Sequence, residues 1–132
     1  MPIKQSMLPD HNLVILKHEG SIPDEEFLDF YKKFFMSNDV DLSMNLLVDL
    51  READSTPRSQ EALHQFAEFI GSSLSGIQTR IKVAVIAPDD LSFGLARMYE
   101  AYSDIVPWDF VVFRVLDAAL AWLGLPEDLL DS

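Results

Sequence analysis

Residues 3–8 (IKQSML) and 13–19 (LVILKHE) are short runs separated by PDHN, in which Pro9, Asp10 and Asn12 favour a turn. The N-terminal stretch therefore predicts a β-hairpin. Residues 13–16 are apolar on both alternating faces, which places the second strand inside the sheet rather than at its edge. Ser21 then offers a capping oxygen and Pro23 suits a first helical turn. Asp24, Glu25 and Glu26 put negative charge where unpaired backbone N–H groups point. Phe27, Leu28, Phe30, Tyr31, Phe34 and Phe35 follow at helical spacing and predict a buried helix face. After SNDVDLS, the strand MNLLVDL sets Leu46, Val48 and Leu50 on one face and Asn45, Leu47 and Asp49 on the other, a drier and a wetter side.

A second helix is expected from near Pro57, with Thr56 as its N-cap and Leu63, Phe66, Ala67, Ile70 and Leu74 inward, closing around GSSLSG. The β-branched run IKVAVIA predicts a buried strand, and PDDLSFGLARMYEAY a third helix opened by Pro88, Asp89 and Asp90. Within that helix Gly94 and Ala96 predict close approach to a neighbour, because glycine inside a helix costs about 1 kcal/mol and close packing compensates. WDFVVF reads as a strand and VLDAALAWLGL as a fourth helix. Strands alternating with helices imply parallel pairing through right-handed crossovers. With the strands side by side in sequence order, every crossover moves in one direction and the helices collect mainly on one face. The expected fold class is α/β: an N-terminal β-hairpin, then β-α units, on a mixed, mostly parallel sheet.

Composition narrows the partners more than the fold. A chain of 132 residues that is 48% hydrophobic encloses one core, so a single domain over 1–132 is expected. The net charge of -12 repels phosphate backbones and anionic lipid, which bind through clustered Lys and Arg, so neither nucleic acid nor a membrane surface is an expected partner. The absence of cysteine excludes disulfides, thiolate nucleophiles and thiolate-bound metal. MPIKQSMLPD lacks the regions of a signal peptide and the longest apolar run is the short AALAWLGL, which leads to the expectation of a soluble, cytoplasmic protein.

The succession NLLVDLREAD, RIKVAVIAPDDLSFGLARMYEAY and FVVFRVLDAALAWL, above all FGLARMYEAY followed by FRVLDAALAWL, resembles the SpoIIAA-like proteins. These are a branch of the STAS (sulphate transporter and anti-sigma factor antagonist) superfamily, related in fold to CRAL-TRIO lipid-binding domains. The resemblance covers nearly the whole chain and implies a compact α/β sandwich with an N-terminal hairpin and sequential parallel strands. In anti-sigma factor antagonists the loop after the central strand carries a regulatory phosphoserine in an Asp-Ser-(Ser/Thr)-Gly-like motif. Asp54, Ser55 and Thr56 match its first three positions, and Pro57 stands in place of the glycine. Because proline fixes φ and removes a donor, phosphorylation is not carried over with the motif, and Asp54 to Thr56 is kept as a candidate regulatory loop.

Ligands in open α/β sheets collect beyond the carboxyl ends of parallel strands, where this sequence places Asp49 to Ser55, Pro88 to Asp90 and Arg114. Asp49, Arg51, Asp89, Asp90, Arg97 and Arg114 are therefore candidate contacts for a partner or ligand. Asp49, Asp89 and Asp90 are the carboxylates that a magnesium site would need, yet the two later ones already serve as first-turn acids and no phosphate-binding glycine motif accompanies them, so no metal or cofactor is expected. Arg97 and Glu100, three apart, are expected to pair on a helix surface. His11, His18 and His64 fall on a turn, a strand end and a helix, expected to be exposed or locally bonded, and no G-x-S-x-G elbow supports a hydrolase.

These residues lead to a non-enzymatic, STAS-like protein-interaction or regulatory module, able to form a homodimer through Trp108 and Trp122, since tryptophan is enriched at interface centres. A domain that binds a small molecule or a lipid is the alternative, suggested by the CRAL-TRIO relationship and the many Phe and Met side chains. Internal volume discriminates: a closed core supports the module, an apolar cavity of about 300 Å³ or more the carrier.

Overall fold

The computed structural model describes residues 2–36, 43–73, 80–102 and 108–130. Strands β1 (Ile3–Leu8), β2 (Leu13–Ser21), β3 (Asn45–Asp54), β4 (Ile81–Ile86) and β5 (Trp108–Phe113) form one five-stranded sheet in sequence order. β1 runs antiparallel to β2, and the other neighbours are parallel. The hairpin closes through a 3-10 turn at Pro9–His11, and Asn12 adopts a left-handed conformation (φ 53°) that asparagine tolerates better than most residues. As expected from its apolar run, β2 lies inside the sheet, with Leu13, Val14, Ile15 and Leu16 all buried.

The helices α1 (Asp24–Met36), α2 (Gln60–Ser73) and α3 (Asp90–Tyr102) lie in the three parallel crossovers and share one face of the sheet. Val14, Leu16, Leu46, Val83 and Val85 point into this layer, and Phe27, Tyr31, Phe66 and Tyr99 descend to meet them. The fourth helix, α4 (Leu116–Leu123), covers the other face, where Ala119 and Leu120 pack on Leu13, Ile15, Leu47, Ala84 and Ile86. It stops at Gly124, whose φ of 74° lets its N–H reach back to Ala121 and Leu120. The distribution follows from the topology: a one-directional series of right-handed crossovers puts its helices on one side, and only a helix after the last strand is free to take the other. Among the described residues no helix is long and apolar enough to cross a membrane.

Three local expectations are corrected. The second helix starts at Gln60 rather than near Pro57, and its cap is Ser59, whose Oγ accepts from the N–H of Ala62 at 3.1 Å. Thr56 is diverted because its N–H (3.0 Å) and its hydroxyl (2.8 Å) both donate to Asp54 Oδ1, holding the chain in an Asx turn before the helix begins. Ser21, read as a cap of the first helix, is the last residue of β2 and hydrogen-bonds Asp54 instead. Gly94 does not mediate close packing, since a Cβ placed there would meet open space. Leu74, the expected last inward residue of α2, lies outside the described residues.

The cap assignment has a measurable consequence. Ser59→Ala should lower the unfolding free energy by about 1–2 kcal/mol in urea titrations, because it removes an N-cap and a hydrogen bond to Asp24 Oδ2. Thr56→Ala should cost clearly less, and the reverse order would return the cap to Thr56.

Candidate functional site

Between the sheet and the layer of α1, α2 and α3 lies a cavity of about 100 Å³. Its floor is formed by Leu46, Val48, Val83 and Val85, the even-face residues of β3 and the odd-face residues of β4. Its walls are aromatic. Phe27 meets Phe66 edge-on at 5.2 Å, Phe66 stacks on Tyr99 at 5.0 Å, and Tyr99 meets Trp108 at 6.1 Å. The rings come from the inward stripes of the three helices and, for Trp108, from β5, and offset and edge-to-face contacts between them are favourable.

The cavity opens where Gly20 and Asp54 are exposed, at the carboxyl ends of β2 and β3. Polar groups ring this end. Ser55 and Ser92 join their hydroxyls at 2.6 Å, linking the β3–α2 joint to α3. Arg58 donates from Nη1 to Asp24 Oδ1 at 2.7 Å and from Nη2 to the Ile22 carbonyl at 3.0 Å, while its guanidinium lies 3.9 Å over the Phe27 ring. Only 9% of the Arg58 side chain is exposed. Burial pushes the Asp24 carboxyl up, but hydrogen bonds from Ser59 and Arg58 outweigh it and hold the group below the usual carboxylate range.

His18 sits deeper. It follows Val14 and Leu16 on the helix-covered face of β2, and its Nε2 lies 2.7 Å from Tyr31 Oη. The expectation of an exposed or locally bonded histidine is thus corrected: His18 is 4% exposed and its partner Tyr31 lies on α1. Burial, reinforced by the Arg58 charge and opposed by Asp49, pushes its pKa down to about 4, so the ring is neutral near pH 7. Burial likewise pushes the Tyr31 hydroxyl up, which leaves it a donor at neutral pH. Two further polar atoms, Tyr99 Oη and Trp108 Nε1, are buried without a hydrogen-bond partner, and both residues line the cavity.

Of the residues expected to form a site, Asp54 and Ser55 line the cavity, and Thr56 flanks it in the Asx turn. The other candidates fall elsewhere. Asp49 shares the α4 face with Leu47, and Arg51 grips both its oxygens at 3.0 and 2.9 Å. Burial pushes the Asp49 carboxyl up, but the contacts with Arg51 hold it below its ordinary range. Asp89 caps α3 by accepting from Ser92 N–H at 2.9 Å. Arg114 donates to Asp90 (2.8 Å) and to the Pro88 carbonyl (3.1 Å) and stacks on Phe93 at 4.0 Å. Arg97 pairs with Glu100 at 3.1 Å on the helix surface. Asp49, Asp89 and Asp90 are not brought together, and no group of three or more His, Asp or Glu among the described residues is placed to hold a metal ion.

Trp108 also departs from expectation. It is 5% exposed and belongs to the cavity wall, so it is not available as a dimer contact. Trp122, half-buried on the opposite face, packs on Phe113 with Lys82 Nζ 5.3 Å from its ring. His18, Tyr31, Arg58, Ser92 and Tyr99 were not singled out as site residues from the sequence. The alternation Val14, Leu16, His18 was the signal that a polar ring faced the helix layer.

No protein-family model matches the chain, and no curated protein matches it significantly. Among solved structures it is similar to an uncharacterized protein of the DUF3478 family with a SpoIIAA-like fold from Shewanella loihica PV-4. The two superpose with a TM-score of 0.55 over 92% of this chain and 91% of that one, at 20% sequence identity. The fold is SpoIIAA-like. The hairpin and the sequential parallel strands expected from the resemblance are present in it, as is the mainly one-sided helix layer expected from the crossovers. In this SpoIIAA-like architecture the cavity mouth coincides with the β3–α2 joint.

Proposed function

We propose that this protein is a non-enzymatic, STAS-like binding module whose ligand is a small, mainly apolar molecule held between the sheet and α1–α3. The observation that carries this reading is the aromatic-lined cavity of about 100 Å³, open at the carboxyl ends of parallel strands, where α/β sheets collect ligands. Its volume lies below the roughly 300 Å³ expected of a pocket that encloses a drug-sized or lipid molecule. The reading is therefore of a compact ligand, or of one end of a longer one. Engineered apolar cavities of about 150 Å³ take up benzene, so the scale is suited to a single ring.

The polar groups favour binding over catalysis. His18 is engaged by Tyr31, Ser55 by Ser92, and Arg58 by Asp24 and the Ile22 carbonyl, so these groups are committed to partners of the protein's own. A protein-interaction role and a homodimer were the leading expectations of the sequence, and the burial of Trp108 removes one of the two aromatic anchors on which the dimer rested. Titration with toluene tests the proposal, with Ala96→Leu as the filled-cavity control, since Ala96 lines the space from α3. The expected result is saturable binding that the substitution removes.

A further inference from the structure

The two edges of the sheet are built differently. On β1 the residues Lys4, Gln5 and Ser6 are exposed, and Lys4 pairs with Glu19 at 2.9 Å. Charge and polarity of this kind keep an edge strand from joining another chain. At the opposite edge, β5 presents the apolar run Phe110, Val111, Val112 and Phe113, all half-buried, with no charge, proline or glycine among them.

Hydrogen bonding to β4 fixes which backbone groups of β5 stay open. The Phe113 carbonyl accepts from the Ala87 N–H at 2.8 Å, so in this parallel ladder Asp109, Val111 and Phe113 direct both N–H and C=O toward β4. Trp108, Phe110 and Val112 direct theirs outward. The Trp108 carbonyl accepts from Arg80 Nη2 at 3.0 Å, and Arg80 Nε holds Asp109 at 2.7 Å. Past the other end, Arg114 is held by Asp90 and the Pro88 carbonyl. No described residue bonds the outward N–H and C=O of Phe110 and Val112. The edge is thus occupied at both ends and open in its apolar middle.

An antiparallel copy of the same strand fits that opening. With a twofold axis at Val111, Phe110 of each copy lies opposite Val112 of the other, and every open N–H meets an open C=O. Residues directly opposite share a face, so Phe110 and Val112 form aromatic and β-branched pairs on the helix-layer side, while Val111 meets its own equivalent on the α4 side. Asp109 falls opposite Phe113, and no like charges face each other. Phe110 is already fixed for this contact by Tyr99 and Trp108, with ring centroids 5.0 and 5.8 Å away. Leu91 and Val115, two of the four exposed large apolar side chains among the described residues, follow Asp90 and Arg114 in the chain and carry apolar surface past the end of β5.

We propose that β5 is a dimerisation edge, through which two copies join antiparallel about Val111 into one continuous sheet. A second copy supplies the matching spacing of open groups and the charge-free centre by symmetry, and such an isologous contact closes at two subunits. The contact runs through backbone rather than through Trp108 or Trp122, and it is independent of any ligand in the cavity.

Sedimentation and amide hydrogen exchange of the full chain, at low and high micromolar concentration, test the proposal. The expected species at high concentration is a dimer that dissociates on dilution, and added salt should strengthen it because the charge of -12 on each copy opposes association. The amides of Phe110 and Val112 should exchange roughly tenfold more slowly in the concentrated sample, while that of Val111, bonded to β4, is protected in both. Val111→Lys and Val111→Glu should each sediment as a monomer, because each sets like charges directly opposite across the axis, and a mixture of the two should dimerise again. A wild type that stays monomeric at both salt levels would overturn the proposal. So would a dimer whose Phe110 and Val112 amides gain no protection, or one that Val111→Lys leaves intact. If the Val111 variants do not fold, the wild-type amides decide alone.

Discussion

Arg58→Ala is expected to lower the unfolding free energy by about 3 kcal/mol, the largest single loss for a residue at the cavity mouth. The Arg58 side chain is 9% exposed and makes three contacts at once: with the Asp24 carboxylate, the Ile22 carbonyl and the face of Phe27. Removing one partner of a buried pair costs more than the pair itself contributes, because the charge left behind stays partly desolvated. The damage is shared between elements, since Asp24 also accepts from the Ser59 N–H and hydroxyl and so fastens the start of α1 to the start of α2. Urea unfolding with wild type and variant measures the effect. A loss below about 1 kcal/mol would place this contact with ordinary surface ion pairs and contradict its role as the clasp of the mouth.

The second large effect is a pH dependence set by His18. The folded-state pKa of about 4 lies below the value of 6.5 for an unperturbed histidine, mainly through burial. Above pH 6.5 the ring is neutral in both states and the full stability is present. As the pH falls from 6.5 toward 4 only the unfolded chain takes up the proton, so stability drops by up to about 1.4 kcal/mol per pH unit. Below about pH 4 both states are protonated at this site and its contribution has gone, a total loss of about 3 kcal/mol. His18→Gln, which keeps a polar group beside Tyr31 but cannot titrate, should flatten the stability profile across this window. Asp24, Asp49, Asp54 and Asp89, whose carboxyls are held below their usual range, act at still lower pH and are common to both proteins. Parallel profiles for wild type and His18→Gln would remove His18 as the source.

The hairpin is legible in PDHN, and the order of the sheet in the alternation of strands and helices, because turn chemistry and crossover handedness are local rules. The interior position of β2 is legible in Leu13 to Leu16. The start of α2 is not: Thr56 and Ser59 are both good caps, and the choice is made by Asp54, which captures Thr56, and by Asp24, which binds Ser59 from a residue far away in sequence. The burial of Trp108 is equally non-local, since Tyr99 of α3 packs against it.

The cavity was the least legible feature of all. It is the space left over where side chains of β2, β3, β4 and three helices stop short of one another, and no periodicity encodes a space. What the sequence does place is its mouth: Asp54 and Ser55 fall at the end of β3 by the same rule that puts ligand sites at the carboxyl ends of strands.

The toluene titration tests the central claim most directly, read at the indole N–H resonances of Trp108 and Trp122, which lie on opposite faces of the sheet. Saturable movement of the Trp108 signal, a still Trp122 signal and loss of the response in a folded Ala96→Leu variant are the predicted results. Equal movement of both signals, or a response that Ala96→Leu leaves intact, would contradict the assignment of the cavity as the binding site.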